Sequence, residues 1–409
     1  MLKVRPKSII AMVAVFTFCT CIDPYTPKLR GYDSLLVVDG LITDANTSYS
    51  VKLSRTFQVQ NSTPAMVSDA NVSITDNGGN NINLGNKGNG IYKTDSLDFT
   101  GMVGRTYTLH ITTKEGNEYI SDPCSMQSVP DIDSVYFAKD QELVNNGTQT
   151  QEGLSIYLDS KAGDNNQYYR WAYEETWKFK VPDPKKFNFN MADSSITSVA
   201  NIKEFCWKNR KSDEILIYSN YSGQAGPIKK KPINFIASNQ SDRLLIEYSI
   251  LVKQYSVSKN EYDFWNNLKQ VNESGGDIFA SQPFPVISNI HNINNPKEQV
   301  LGYFQVSAVK QKRKNIPFSE IVGMNLPYYN YPCERIEAKP SDYQAALGPL
   351  ITWDFVYALF CVTSDYYFVA PEYFNGTNNL EKMVFARPEC ADCELSGTIT
   401  KPDFWVDLN

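Results

Sequence analysis

Between residues 35 and 130, apolar and polar side chains alternate in short runs broken by glycine and asparagine. Ser50-Val-Lys-Leu-Ser54, Ala70-Asn-Val-Ser-Ile-Thr75 and Thr106-Tyr-Thr-Leu-His-Ile111 repeat every second residue, which sends one face of a strand into a core and the other into water. Leu35-Leu-Val-Val-Asp-Gly-Leu-Ile42 is a mostly apolar run of strand length. Asp76-Asn-Gly-Gly79, Lys87-Gly-Asn-Gly90 and Thr113-Lys-Glu-Gly116 separate these runs with residues that tolerate tight turns. Short strands at this spacing predict an N-terminal β-sandwich over 35–130 with Greek-key or immunoglobulin-like connections.

Val129-Pro-Asp-Ile-Asp-Ser134 reads as the hand-over to a larger β-rich domain over 131–409. Strand character returns in 153–158, 168–178, 243–255 and 300–309, whereas 181–200 and 208–240 carry Pro, Asn, Ser and Lys and read as long excursions. One packed helix is predicted near 259–272. Ser258-Lys-Asn-Glu261 has the spacing of a capping box, in which each side chain satisfies the other residue's free N–H. Tyr262, Trp265, Leu268 and Val271 then recur every third residue, and Gly275-Gly276 ends the run. Leu350 to Val369 is the longest later apolar stretch. Asp354, Thr363, Ser364 and Asp365 break it, so it reads as buried core strands and not as a membrane span.

The fold class expected is therefore mainly β: an immunoglobulin-like β-sandwich followed by a larger β-rich domain with at least one packed helix. Ahead of it, Lys3, Arg5 and Lys7 precede the apolar run Ile9–Phe18, too short to cross a bilayer. The run ends at Cys19-Thr20-Cys21 and not at an Ala-x-Ala site. Residues 1–20 read as a lipoprotein signal peptide, with Cys21 the lipid-bearing residue and 21–34 a tether. An ordinary secretory signal and an uncleaved anchor are the alternatives, since Phe18 and Thr20 depart from the usual lipobox.

Loss of residues 1–20 moves the formal charge from −6 to −9. An acidic chain lacks the basic face that a nucleic-acid partner requires. Lys229-Lys230-Lys231 and Lys310-Gln-Lys-Arg-Lys314 read as solvated loops or strand ends. Six further cysteines, Cys124, Cys206, Cys333, Cys361, Cys390 and Cys393, are expected in disulfides whose pairing the sequence leaves open. Cys390-Ala-Asp-Cys393 has neither a second Cys pair for zinc nor the flanks of a redox site.

Catalytic patterns are scarce. The chain has two histidines, His110 in an alternating strand and His291 in an Asn-rich stretch. It has no Gly-x-Ser-x-Gly elbow, phosphate loop or His-Glu-x-x-His. Glu174 and Glu175 are adjacent on a strand and so point to opposite faces. Asp39, Asp44 and Asp76 lie beside turns without a calcium-loop pattern. No metal or cofactor is expected. Aromatic residues offer the better lead, because Tyr, Trp and Arg anchor interfaces. Tyr168, Tyr169, Trp171 and Trp177 are candidates, weighed against core packing. Tyr328, Tyr329 and Tyr331 in the Pro-flanked loop Leu326–Pro332 are the candidates for partner or ligand contact, because Pro and Asn disfavour a central strand there.

Several segments share one further likeness. They are Asp23-Pro-Tyr25, Leu36-Val-Val-Asp-Gly-Leu-Ile-Thr-Asp44, Ser50–Arg55, Gly90-Ile-Tyr92, Gly104-Arg-Thr-Tyr-Thr-Leu109, Tyr262–Trp265, Gly276-Asp-Ile-Phe279, Pro283, Ser288-Asn-Ile290, Leu301-Gly-Tyr-Phe304, Cys390-x-x-Cys393 and Lys401-Pro-Asp-Phe-Trp405. In order and spacing the chain resembles an uncharacterised, domain-of-unknown-function family of Bacteroidetes-type outer-membrane lipoproteins, with Ser288 where Gly is more usual. Genes of that family often lie beside those of SusC-type TonB-dependent receptors. The resemblance implies a non-catalytic accessory or binding subunit of a TonB-dependent transporter, lipid-anchored in the outer membrane and facing the cell surface in preference to the periplasm. A freestanding surface binder of glycan or host matrix is the alternative, and a hydrolase a more distant one.

Overall fold

The computed structural model describes residues 34–408 apart from 57–63, 96–98, 145–146, 164–167, 221–225 and 275–285. The predicted signal peptide, Cys21 and the tether up to residue 33 lie outside the described residues, as do Gly275-Gly276, 276–279 and Pro283.

Alternation along Leu36–Ile42 becomes burial: Leu36, Val38, Gly40 and Ile42 face inward and Asp39 outward. The same holds for Thr106–Thr112, where Tyr107, Leu109 and Ile111 are buried. These strands belong to one 11-stranded sheet, ordered 290–292, 118–121, 106–112, 71–76, 81–86, 91–94, 50–55, 36–42, 301–306, with 65–66 and 124–125 at its sides. Gly79, Gly88, Gly90 and Gly116 adopt positive φ at the three predicted turns. The limit of this sheet does not coincide with residue 130. Leu301–Val306 returns to pair in parallel with Leu36–Ile42, and Ile290–Asn292 pairs with Glu118–Ser121. The parallel pairing is close. Gly302 has φ +85°, and a Cβ there would stand 1.9 Å from the Val38 carbonyl oxygen.

A middle unit follows. Strands 132–144, 149–160 and 228–237 form one antiparallel sheet. A second is ordered 205–211, 168–180, 247–256, 309–317, with 216–219 beside 168–180. Leu154, Ile156, Leu158 and Ile233 from the first and Trp171, Tyr173, Phe179, Tyr248 and Ile250 from the second share one core. The stretch 208–240 is thus strand-rich, not the excursion expected. Ile228–Ala237 keeps Ile233 and Ile236 inward behind its lysines. Tyr169, Trp171 and Trp177 are core residues and offer no exposed platform.

Tyr168–Lys180 spans roughly 40 Å at strand rise. Near its start, Arg170 Nη2 donates to Gln305 Oε1 of the first sheet at 3.0 Å. Just past its end, Asp183 and Lys185 N–H donate to Cys390 and Ala391 carbonyls at 3.1 and 3.0 Å. The three units therefore lie in a row. The third contains strands 335–338, 380–386 and 367–373, the hairpin 187–190/195–198, and helices Ser341–Leu347 and Trp353–Tyr357, the latter continuing as a turn to Val362. The core strands expected from residue 350 onward begin only at Tyr367. Trp353, Val356, Tyr357 and Phe360 recur at helical spacing and pack against Phe189, Phe368 and Phe385, so the period was 3.6 and not 2.

The predicted helix forms over Lys259–Ser274. Glu261 N–H donates to Ser258 Oγ at 3.1 Å, one half of the capping box. The reciprocal bond is not made, because Glu261 turns inward, where Ser307 Oγ donates to it at 3.3 Å. Glu261 and Phe264 are the most buried positions of the helix, while Tyr262, Trp265, Leu268 and Val271 are half-buried. Beside them the Arg170 guanidinium sits 4.7 Å from each of the Tyr255 and Trp265 rings.

Candidate functional site

Leu326–Pro332 cannot run as an interior strand, because Pro327 and Pro332 lack the N–H that a ladder needs. It crosses the surface of the middle unit instead. Asn325 enters it in the left-handed conformation (φ +51°), and Lys139 Nζ donates to the Met324 and Asn325 carbonyls at 3.1 and 3.2 Å. At its far end Cys333 is bonded to Cys390. Between these ties, Tyr331 is half-buried and its hydroxyl donates to Asp242 Oδ2 at 3.4 Å. Asp242 is itself buried and accepts from Trp177 Nε1 at 2.8 Å and Lys208 Nζ at 2.7 Å. The Tyr329 ring meets Tyr331 edge-on, with centroids 5.2 Å apart. Burial first, then the Asp242 carboxylate, pushes both hydroxyls up, so they remain donors. Tyr328 is left 62% exposed.

That exposed ring separates two hollows. One, of about 310 Å³, is walled by Leu244, Phe318, Ile321 and Val322; the other, of about 430 Å³, by Lys180, Val181, Asp183 and Tyr331. Leu245, Tyr328 and Tyr329 border both. Chemically the site offers a rigidly backed aromatic ridge, apolar floors on either side, and hydroxyl, ammonium and carboxylate groups at the rim. This suits stacking and recognition. A wider opening of about 920 Å³ lies where the outer face of the first sheet meets strands 247–256 and 309–317, lined by Asp39, Lys52, Lys93 and Lys253. Its walls are solvated strand faces, and Lys253 is already paired with Glu174 at 2.7 Å.

Four of the six candidate cysteines are bridged, Cys206–Cys393 and Cys333–Cys390. The CxxC thus reaches out to two distant partners. Cys124 and Cys361 are free, which corrects the expectation that all six pair. Burial pushes their thiols up to about 12 and about 11, so neither is a ready nucleophile.

Neither the histidines nor the acids converge. His110 and His291 both stand opposite Ile120, on one face but two strand spacings apart, about 10 Å. His110 Nε2 meets Thr75 Oγ1 at 2.9 Å, and His291 Nε2 meets Asp122 Oδ1 at 3.0 Å in the open. Glu174 is half-exposed against Lys253. Glu175 is buried among Tyr248 (2.8 Å), Asn234 (3.0 Å) and Arg243 (3.3 Å), as strand alternation requires. Burial raises the Asp76 carboxyl, but bonds from Asn80, Arg105 and Gly78 outweigh it and hold it at about 2. Asp44 Oδ1 accepts the Val309 N–H at 2.7 Å, tying the first unit to the middle one. Among the described residues, no group of three or more His, Cys, Asp or Glu is placed to hold a metal.

Sequence reasoning missed Asp242 and the walls Leu245 and Phe318. Nothing local marks an aspartate as the anchor of a tyrosine some 90 residues away.

A family model described as a domain of unknown function (DUF4249) matches residues 22–313, and the chain belongs to this family. The match takes in the first unit and most of the middle one, and it ends before the tyrosine loop. No curated protein matches. Among solved structures, a "Biofilm associated protein - BSP domain" aligns at 8% identity over 71% of this chain, with a TM-score of 0.11. The chain spans 62% of that structure's length, and a likeness of that size carries no argument.

Proposed function

We propose that this protein is a non-catalytic binding subunit, held at the outer membrane by lipid on Cys21 and facing the cell surface, where it serves a SusC-type TonB-dependent transporter. The observation that carries the binding role is the Tyr328–Tyr329 ridge, exposed at its crest yet fixed from behind by Tyr331, Asp242, Lys208 and a disulfide. A free-energy cost was already met in folding to hold that ridge still, so a partner loses less entropy on meeting it. Two disulfides suit an oxidising compartment outside the cytoplasm. The basic, apolar and cysteine pattern of residues 1–21 supplies the reason for a lipid anchor.

The test is purification from native membranes in mild detergent. A large barrel protein is expected to accompany the intact chain and to fall about tenfold with Tyr328→Ala plus Tyr329→Ala. Tyr328→Ala alone is expected to move stability by less than about 0.5 kcal/mol, as for other exposed positions. Repeated recovery of the lipidated protein alone would overturn the transporter role. Glycan binding that persists without the transporter would favour a freestanding binder.

A further inference from the structure

We infer that residues 343–362 of the third unit form a docking surface for a protein partner that presents an apolar patch rimmed by basic side chains. This is the stretch whose sequence suggested buried strands, and the structure places much of it outside. Leu350 is 91% exposed, Val362 69%, Leu347 59% and Phe355 36%. Leu347 ends one helix, Phe355 lies on the next and Leu350 on the link between them; the two helices meet through the Tyr343 and Phe355 rings, 6.3 Å apart. Over these residues Asp354 is the single charge. Isolated exposed apolar residues are ordinary, but a stretch with a single charge and a projecting Pro349-Leu350 apex has the composition of an interface centre.

Charge decides between a membrane and a protein. Segments that lie on bilayers carry Lys or Arg for anionic headgroups. Between 340 and 366 there is neither, and Lys185, which acts on Cys361 from another segment, is held over the Tyr367 ring at 5.0 Å. The flanking charges are Asp342, Asp354 and Asp365, and none makes an ion pair with a described residue. An apolar partner surface with Lys or Arg at its edge complements this pattern.

The experiment places photoreactive benzoylphenylalanine at position 350 of the full chain in its native cells. The crosslinked peptide is then identified by mass spectrometry, with position 87 on the first sheet as control. A crosslink is expected from 350 alone, to an apolar peptide of another protein with Lys or Arg nearby. Leu350→Glu should lower recovery of that protein about tenfold or more. Asp342→Asn plus Asp365→Asn should weaken it, and added salt should weaken the wild type more than this variant. Unchanged circular dichroism melting will show that Leu350→Glu still folds. A crosslink to lipid, to a second copy or to residues 1–33, or none at all, would overturn the inference. Because the partner is read by its surface chemistry, a crosslink from 350 to a non-barrel protein leaves this docking face standing, and the transporter role is then decided by the tyrosine variants alone. Loss of a barrel with the tyrosine variants but not with Leu350→Glu sinks this inference alone.

Discussion

In the first unit, Leu36, Val38, Leu53, Ile74, Tyr92, Tyr107, Leu109 and Phe304 close over one another from many strands, and no bridge is present among its described residues. In the third unit, Val356, Phe368, Met383 and Phe385 make a smaller cluster; Val384, Ala386 and Cys390 make another, closed by the Cys333–Cys390 bridge, and the chain just beyond it is bonded through Cys393 to Cys206 in the middle core. A sheet with a wide apolar face holds itself by burial. A small assembly of five short strands and helical turns lacks the area for that; one bridge closes it on itself and the other fixes its end into the middle core. The contrast separates two sources of order in one chain.

The largest expected effect comes from breaking the ties. The bridges close loops of 187 and 57 residues in sequence separation, each worth about 4 kcal/mol or more on the chain-entropy account. Replacing all four cysteines by serine should cost about 5 kcal/mol or more in the third unit. Hydrogen-exchange mass spectrometry should show faster exchange over 335–395 and unchanged protection over 36–112. Equal loss in both would dissolve the comparison.

Gly302→Ala strikes the other side. Its Cβ would fall on the Val38 carbonyl, and φ +85° is itself strained for alanine. The expected cost is about 4 kcal/mol, at the upper end for a point change. Here exchange should rise in Leu36–Ile42 and Leu301–Val306 while the third unit stays protected.

Glu261, at the seam between the first and middle units, gives the smallest and most graded effect. Burial pushes its carboxyl up to about 7 from 4.5, with Arg170 and Ser307 opposing. At low pH both folded and unfolded forms have Glu261 protonated, so its own contribution is most favourable below about 4.5, where the depressed Asp76 carboxyl begins to lose its contribution. As pH rises to about 7 the unfolded form ionises first, and roughly 3 kcal/mol is lost before the curve levels off. Urea titrations should show that slope in the wild type and its absence in Glu261→Gln. A stability flat from pH 4.5 to 7 in both proteins would count against the buried seam.

What the sequence revealed follows how local each signal was. Alternation in 50–54, 70–75 and 106–111, and the glycines of the three turns, act within a few residues and are realised in place. The helix after Ser258 starts where its cap indicates. Which face it buries depends on Arg170 and Ser307, which come from other strands, so the stripe through Tyr262 and Trp265 turned out to be its flank. Leu301–Val306 reads correctly as a strand, but nothing in it announces a parallel neighbour some 260 residues earlier. The aromatic residues of 168–177 look alike in sequence whether they face a core or a partner. Opposing strands, invisible locally, decide that. The tyrosine loop was legible because proline forbids the interior alternative.

The parallel seam between Leu36–Ile42 and Leu301–Val306 also governs how the molecule comes into being. The Leu36–Ile42 strand lacks one of its two described neighbours until residue 306 has been synthesised, so this sheet cannot close before then. Until then that strand offers a bare row of amide and carbonyl groups to whatever it meets. A fragment cut near residue 130 would keep that bare edge for good, and the natural unit of production is therefore a polypeptide reaching well past residue 300.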